Sequence, residues 1–318
     1  MSEFRQNFAT KEWVIIAPER DERPSDFRTS VDRNGVVPEY RADCPFCPGN
    51  EHTTPPEIFA YREPGTEPNT PGWSLRVVHN KFPALIPQGD LDRQGEGMFD
   101  KMAGIGTHEV IIENPDHMTT LTNIPIDGFV GVLSAYRERI RTLAEDPRFK
   151  YVLIFKNMGR AAGASLEHSH SQLIGLPIVP ELVMEELNGS KFYYNWKERC
   201  VFCDMIRQEL QQKVRVVKEN KEFVAICPFA PRSPFEVWIL PKMHYSSYDQ
   251  LPEGSYRLLA EIFRETLQRL EKSLGKAPYN FILHIAPIGE SGLPYYHWHF
   301  EIMPKLTLMA GFEWGSGF

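Results

Sequence analysis

Cys44-Pro-Phe-Cys47, His117 and His168-Ser-His170 recur further along as Cys200-Val-Phe-Cys203, His244 and His297-Trp-His299, the same order of metal-ligand residue types written twice. The cysteine pairs lie 156 residues apart, the middle histidines 127 and the H-x-H pairs 129. One indel accounts for the difference, so the pattern reads as a duplicated unit, and the whole fold reading follows from it. The first copy is longer by 29 residues between its C-x-x-C and its middle histidine. The Pro/Gly/Thr-rich segment 63–72 and the Gly/Asp-rich segment 87–106 are the loops that absorb this length.

Working outward from the ligands, short apolar or alternating runs bounded by Gly, Pro or Asn predict strands over 76–80, 109–113, 151–157 and 171–178. Their counterparts are 223–226, 236–240, 279–285 and 299–303. Between middle histidine and third strand, helical spacing of Phe129, Val132, Leu133, Tyr136, Ile140 and Leu143 predicts a helix over 128–144. Leu258, Leu259, Ile262, Phe263, Leu267 and Leu270 do the same over 254–274. Each copy is strand, strand, helix, strand, strand. This is an α+β class of antiparallel-rich sheets with a crossover helix in each half, whose two sheets can pair. The division expected is 1–190 and 191–318.

The 318 residues carry 35 Lys+Arg against 42 Asp+Glu, a net charge of −7, which argues against a broad electrostatic grip on nucleic acid or an anionic membrane. Hydrophobic content of 42%, charged content of 24% and a mean hydropathy of −0.36 describe an ordinary globular chain. No apolar run is long enough to span a bilayer, and Met1-Ser2-Glu3-Phe4-Arg5 lacks the apolar core of a secretory signal, so the expected location is cytoplasmic. Five cysteines, four of them in C-x-x-C pairs with Cys227 left over, then point to metal or redox chemistry rather than disulfides.

A C-x-x-C with two histidines supplies the four ligands of a tetrahedral zinc site, and the duplication offers two sets. The first is Cys44, Cys47, His117 and His168; the second is Cys200, Cys203, His244 and His297. With no coordination position left open, such sites are structural. The competing readings are a redox pair or reduced buried cysteines beside core histidines. Both are weakened by the repetition and by the turn-compatible neighbours of each pair.

The second histidine of each H-x-H is then left over. Alternate residues of a strand share a face, so His168 can bind metal while His170 faces a substrate. Before it runs Asn157-Met-Gly-Arg-Ala-Ala-Gly-Ala-Ser-Leu-Glu-His168, and after it Ser171-Gln172. Small residues such as Gly163 with free backbone amides, together with Asn157, Ser165 and Gln172, suit phosphate oxygens beside an imidazole. A neutral histidine there can attack phosphorus if its other nitrogen donates to a carbonyl. The second half has no matching loop, and Trp298 and Phe300 flank His299, so that copy is expected to keep structure without chemistry. Arg20, Arg23 and Asn80 are further candidates, the arginines for phosphate and Asn80 for a ribose.

From Glu12-Trp-Val-Ile-Ile-Ala-Pro-Glu-Arg20 to Ala310-Gly-Phe-Glu313, and most specifically over 157–172, the chain resembles the galactose-1-phosphate uridylyltransferase family, the transferase branch of the histidine-triad superfamily. The resemblance implies two histidine-triad-like halves in one chain, a homodimer, and ping-pong transfer of a nucleoside monophosphate from a nucleotide sugar to a sugar 1-phosphate or phosphate. It implies His170 as nucleophile, with Ser165 and Gln172 beside it in the chemistry. Asn157, Ser165 and Gln172, with Gly163 in the same loop, would hold the phosphates, Arg20 and Arg23 would lie near them, and Asn80 would contact the nucleoside. Cys44, Cys47, His117 and His168 coincide with the family's zinc ligands.

There are departures. Some members hold iron through a glutamate and three histidines, which fall near Glu186, His284, His297 and His299 and compete here with the second zinc set. Lys81 replaces an aspartate that holds the ribose, and Thr307 a lysine that contacts the hexose phosphate. The expectation is a two-zinc nucleotidyltransferase of the UDP-glucose:hexose-1-phosphate uridylyltransferase type in galactose and carbohydrate metabolism. The alternatives are an ADP-glucose phosphorylase or adenylyltransferase using the same histidine, or a nucleotide hydrolase.

Overall fold

Alternation along the chain builds strands whose two faces meet different surroundings. A computed structural model describes residues 2–17, 39–306 and 311–316. Arg20, Arg23 and Thr307 lie outside the described residues. In chain order the elements are β1 Glu3–Gln6, β2 Trp13–Ile16, β3 Glu57–Arg62, β4 Trp73–His79, β5 Gln94–Glu96, β6 Phe99–Lys101, β7 Thr107–Ile112, α1 Ile126–Ala144, β8 Tyr151–Met158 and β9 His170–Leu176. There follow α2 Glu181–Lys197, α3 Val201–Gln212, β10 Val216–Glu219, β11 Phe223–Ile226, β12 Val237–Pro241, α4 Ser255–Leu274, β13 Tyr279–His284, β14 His299–Pro304 and α5 Gly311–Ser316.

Ten strands form one antiparallel sheet in the order β10-β11-β12-β14-β13-β8-β9-β7-β4-β3. The order is itself the repeat. Read inward from either edge, β3-β4-β7-β9-β8 corresponds to β10-β11-β12-β14-β13, and β8 joins β13 at the centre with Phe155 opposite Ile282. All eight strands predicted from the sequence are present, and so are both crossover helices. The fifth strand of each half, β3 and β10, is an edge strand. Edge strands need no continuous apolar pattern, because a single neighbour pairs them.

α1 and α4 lie side by side on one face, where Phe263 meets Phe129, Phe281 and Phe300 at ring-centroid distances of 5.4, 5.4 and 4.9 Å. Phe263 is fully buried, and truncating it to alanine costs about 3–5 kcal/mol. The opposite face differs between halves. In the first, Val78, Val110 and Ile112 form a small cluster with Trp73, Leu166 and the loop bearing Cys44, Phe46 and Cys47. In the second, Phe202 of α3 packs on Trp238 and His299, and Glu186 of α2 bonds to the Tyr296 hydroxyl. Neither α2 nor α3 was predicted, and the division expected at 190/191 runs through α2. Apolar residues of α2 do not keep to one stripe, as Leu182, Phe192 and Trp196 are exposed while Val183 and Leu187 are buried.

Candidate functional site

The two C-x-x-C pairs are built differently. Cys44 and Cys47 sit in a turn closed by the Cys47 N–H to the Cys44 carbonyl oxygen (3.3 Å), with Asn50 Nδ2 donating to Cys44 O (2.8 Å). Cys200 is instead the N-cap of α3 and Cys203 lies in its first turn, so the second pair belongs to a helix start and not to a free-standing turn. Both nevertheless gather the predicted four. The ligand atoms of Cys44, Cys47, His117 and His168 lie within 4.8 Å of one another, as do those of Cys200, Cys203, His244 and His297.

In both, the imidazole Nδ1 atoms face sulfur: His117 and His168 stand 3.4 and 3.7 Å from Cys47 Sγ, and His244 and His297 3.4 and 3.7 Å from Cys203 Sγ. The far nitrogens of His168, His244 and His297 bond to the carbonyl oxygens of Asn114, Leu293 and Pro241 at 2.8, 3.0 and 2.9 Å. Carbonyl acceptors fix Nε2–H and leave Nδ1 as the ligand, the outer-shell arrangement of a metal-binding histidine. Burial pushes the Cys44 thiol up to about 11, so an arriving cation must displace its proton. Cys203 is held well below the usual thiol range, first by its hydrogen bond with Cys200 and then, against burial, by His244 and His297. Two Cys2His2 clusters that can hold a metal ion are therefore present.

The second histidine of the first H-x-H donates Nδ1–H to the carbonyl oxygen of His168 (2.8 Å). Its lone pair is thereby on Nε2. Burial, and then the charge of Lys156, push His170 below the usual imidazole range, which keeps it neutral. His170 lines a cavity of about 560 Å³ together with Asn80, Lys81, Phe82, Ser165 and Gln172. That volume suits a ligand the size of a nucleotide.

The remaining predicted contacts fare unevenly. Asn157 and Gly163 are not among the residues that line this cavity, and Asn157 Oδ1 accepts from Asn280 Nδ2 (2.8 Å). Three of the loop's amides are also engaged. The N–H groups of Ala162 and Ala164 both donate to the Gly159 carbonyl oxygen, and that of Gly163 to Arg160, closing a 3-10 turn over Arg160–Ala162. Gly159 and Gly163 both adopt left-handed φ values (84° and 87°), which is why this turn requires glycine.

Three residues the sequence reading missed support the site. His108 contacts Gln172 and the loop after Asn80. On the reverse face Lys156 Nζ donates to Glu113 Oε2 (2.7 Å), Ser169 Oγ (3.0 Å) and the His170 carbonyl oxygen (2.9 Å). Glu113 also accepts from Ser169 and Ser171. A signal existed for this pair, since Lys156 and Glu113 interrupt otherwise apolar strand runs and a buried charge needs a partner.

His299 repeats the His170 geometry, its Nδ1 3.0 Å from the His297 carbonyl oxygen. It is fully buried among the described residues. Its Nε2 faces Glu186 Oε1 at 3.3 Å, and its ring stacks on His284 (4.8 Å, 10°). Trp298 and Phe300 are not what closes this site, because alternation turns them to the α4 face, where both meet Tyr248. Glu186, His284 and His299 form a third group of ligand atoms within 4.8 Å. The expected competition for His297 does not arise, as His297 sits with the cysteines and the other three stand apart. Burial opposes charge on His284, but Glu301 and Glu186 outweigh it and hold the imidazole up to about 10.

Residues 1–180 match the family described as "Galactose-1-phosphate uridyl transferase, N-terminal domain" and residues 186–308 its C-terminal domain. An ADP-glucose phosphorylase of Arabidopsis thaliana is 38% identical over 322 residues, covering 99% of this chain and 88% of that protein. A galactose-1-phosphate uridylyltransferase of Thermotoga maritima is 27% identical, covering 99% and 93%. The crystal structure of an ADP-glucose phosphorylase from Arabidopsis thaliana with bound ADP-glucose gives a TM-score of 0.82 at 36% identity, covering 100% of this chain and 94% of that one. With both halves matched, the chain belongs to the galactose-1-phosphate uridyl transferase family and is an enzyme of the nucleotidyltransferase kind.

Proposed function

We propose that the chain transfers a nucleotidyl group from a nucleotide sugar to a phosphate-bearing acceptor through a covalent intermediate on His170. The observation that carries this is the tautomer: Nδ1–H is committed to the His168 carbonyl oxygen, leaving the Nε2 lone pair for the cavity that Ser165 and Gln172 share. Nε2 attacks the α-phosphorus, the bond from phosphorus to the sugar-phosphate oxygen breaks, and the hexose 1-phosphate leaves with the electron pair. An acceptor phosphate oxygen then attacks the same phosphorus, the N–P bond breaks, and neutral His170 returns. The His168 carbonyl stabilises the positive charge that the ring carries between the two steps. The Ser165 hydroxyl and Gln172 amide would meet charge on the nonbridging oxygens, the largest contribution in such chemistry.

Two substrate pairs fit this chemistry. UDP-glucose with a hexose 1-phosphate, in galactose metabolism, is supported by the uridylyltransferases among the relatives. ADP-glucose with phosphate is supported by the 38% identical Arabidopsis phosphorylase, while Lys81 at the cavity wall weakens the case for galactose 1-phosphate as acceptor. Incubation with UDP-glucose and ADP-glucose, each radiolabelled in the α-phosphate, decides between them by which one labels the protein. Labelling by neither, or undiminished labelling of His170→Gly, overturns the covalent mechanism. Release of nucleoside monophosphate to water faster than transfer turns the reading to a hydrolase.

For the metal clusters we propose zinc, two per chain, as structural ions that tie each C-x-x-C to its strand ends. The halves 1–190 and 191–318 are proposed as the catalytic and degenerate copies, and a homodimer is proposed on the family resemblance. Five free cysteines support a reducing compartment, hence the cytoplasm, and no helix among the described residues is long and apolar enough to cross a membrane.

A further inference from the structure

His108 is buried on β7, one residue pair diagonal to Gln172 on β9, since Val110 stands opposite Gln172 and His108 opposite Ile174. Its side chain has two polar neighbours that fix its state. The backbone N–H of Ala84 points at Nδ1 (3.2 Å), and a backbone N–H can only donate. Nδ1 is therefore the acceptor, and in a neutral ring Nε2 carries the proton. That Nε2–H lies 2.8 Å from Gln172 Oε1. Asn80 Nδ2 stands 3.2 Å from the same nitrogen, where a second donor finds no lone pair, while its Oδ1 is taken by the Phe82 N–H (2.9 Å). The amide hydrogens of Asn80 are thus not spent on His108.

We infer that His108 is a positioning residue of the transfer reaction, locking the Gln172 carboxamide with its oxygen turned inward and its NH2 group toward the phosphate. This rests on His170 being the nucleophile and Gln172 a phosphate ligand. A free carboxamide can present either end. Turned over, Gln172 would set an oxygen against the nonbridging phosphate oxygens and repel the charge it is meant to stabilise. The Ala84 contact adds a second consequence, because the same ring fastens the wall loop of residues 80–84 to the strand that bears His170 and Gln172.

The test is a mutant cycle on the full-length protein, read by the rate of nucleotidyl transfer to His170 in single turnover. His108→Phe keeps ring volume and loses both nitrogens, whereas His108→Gln puts an amide N–H near the Nε2 position. We expect His108→Phe to lower the rate constant about 10- to 30-fold with KM moved by less than about 3-fold, the pattern of a contact that matters in the transition state. His108→Gln should recover most of that loss. In a Gln172→Ala background, His108→Phe should cost little more, since the residue it acts through is gone. Multiplying losses of His108→Phe and Gln172→Ala overturn the inference, and so does a His108→Gln variant as slow as His108→Phe. Metal content and melting temperature are measured on every variant, and if His108→Phe does not fold, His108→Gln against His108→Asn in both backgrounds carries the comparison. Failure of the parent protein to label refutes the His170 mechanism instead, and so is told apart from failure of the His108 inference.

Discussion

Lys156 and Glu113 form a buried ion pair, Nζ to Oε2 2.7 Å, directly behind the strand that carries His170. Lys156 also holds the His170 carbonyl oxygen, and Glu113 holds Ser169 and Ser171, so both sides of the H-x-H backbone are clamped from the α1 face. Removing one partner leaves the other charge without compensation. Lys156→Met should therefore cost about 3–5 kcal/mol in denaturant unfolding. Adding Glu113→Gln to it should restore part of that stability. A single mutant within about 0.5 kcal/mol of the parent contradicts the clamp.

The cavity distinguishes the two H-x-H copies. His299 is fully buried and faces Glu186, whereas His170, though buried too, lines the cavity. His170→Ala should abolish covalent labelling, while His299→Asn should keep single-turnover transfer within about 3-fold per folded molecule. Loss of labelling in the folded His299 variant would place chemistry in the second half.

Elemental analysis should find two zinc ions per chain. Cys44→Ser and Cys200→Ser should each remove one of them, because the two clusters share no ligand. Chelation should lower the melting temperature by about 5–10 °C, since metal-binding energy in such sites is folding energy. A third equivalent of metal, or iron, would instead implicate Glu186, His284 and His299.

At the outer edge of the first half, Glu57 accepts from Arg62 (2.6 Å) and Arg76 (3.1 Å). Burial pushes the Glu57 carboxyl up, but Arg62, the Asn69 backbone and Arg76 outweigh it and hold it below the usual range. A carboxyl depressed in the folded state adds stability above its unfolded pKa of about 4.3 and loses it as pH falls through the folded value. Glu57→Gln should thus cost about 2 kcal/mol at pH 7, and the gap to the parent should close as pH drops below 4. Melts across that range check the sign; a gap that widens in acid contradicts it.

By itself the sequence determined the duplication, the eight strands and two helices of the repeated core, both Cys2His2 sets and the place of His170. Each is written in local periodicity or in ligand spacing, which survive without knowledge of neighbours. Only the tertiary structure decided what the copies do differently. α2 and α3, with mixed or short apolar faces, fold over the second H-x-H, and Glu186 of α2 stands before His299 where the cavity opens before His170, while Phe46 and Phe202 pack on the two histidines alike. Asn157 Oδ1 is engaged by a partner 123 residues distant, and His108 is brought to Gln172 across a strand pair from 64 residues away. Strand pairing sets which side chains become neighbours, and contacts across such separations leave no trace in the local pattern.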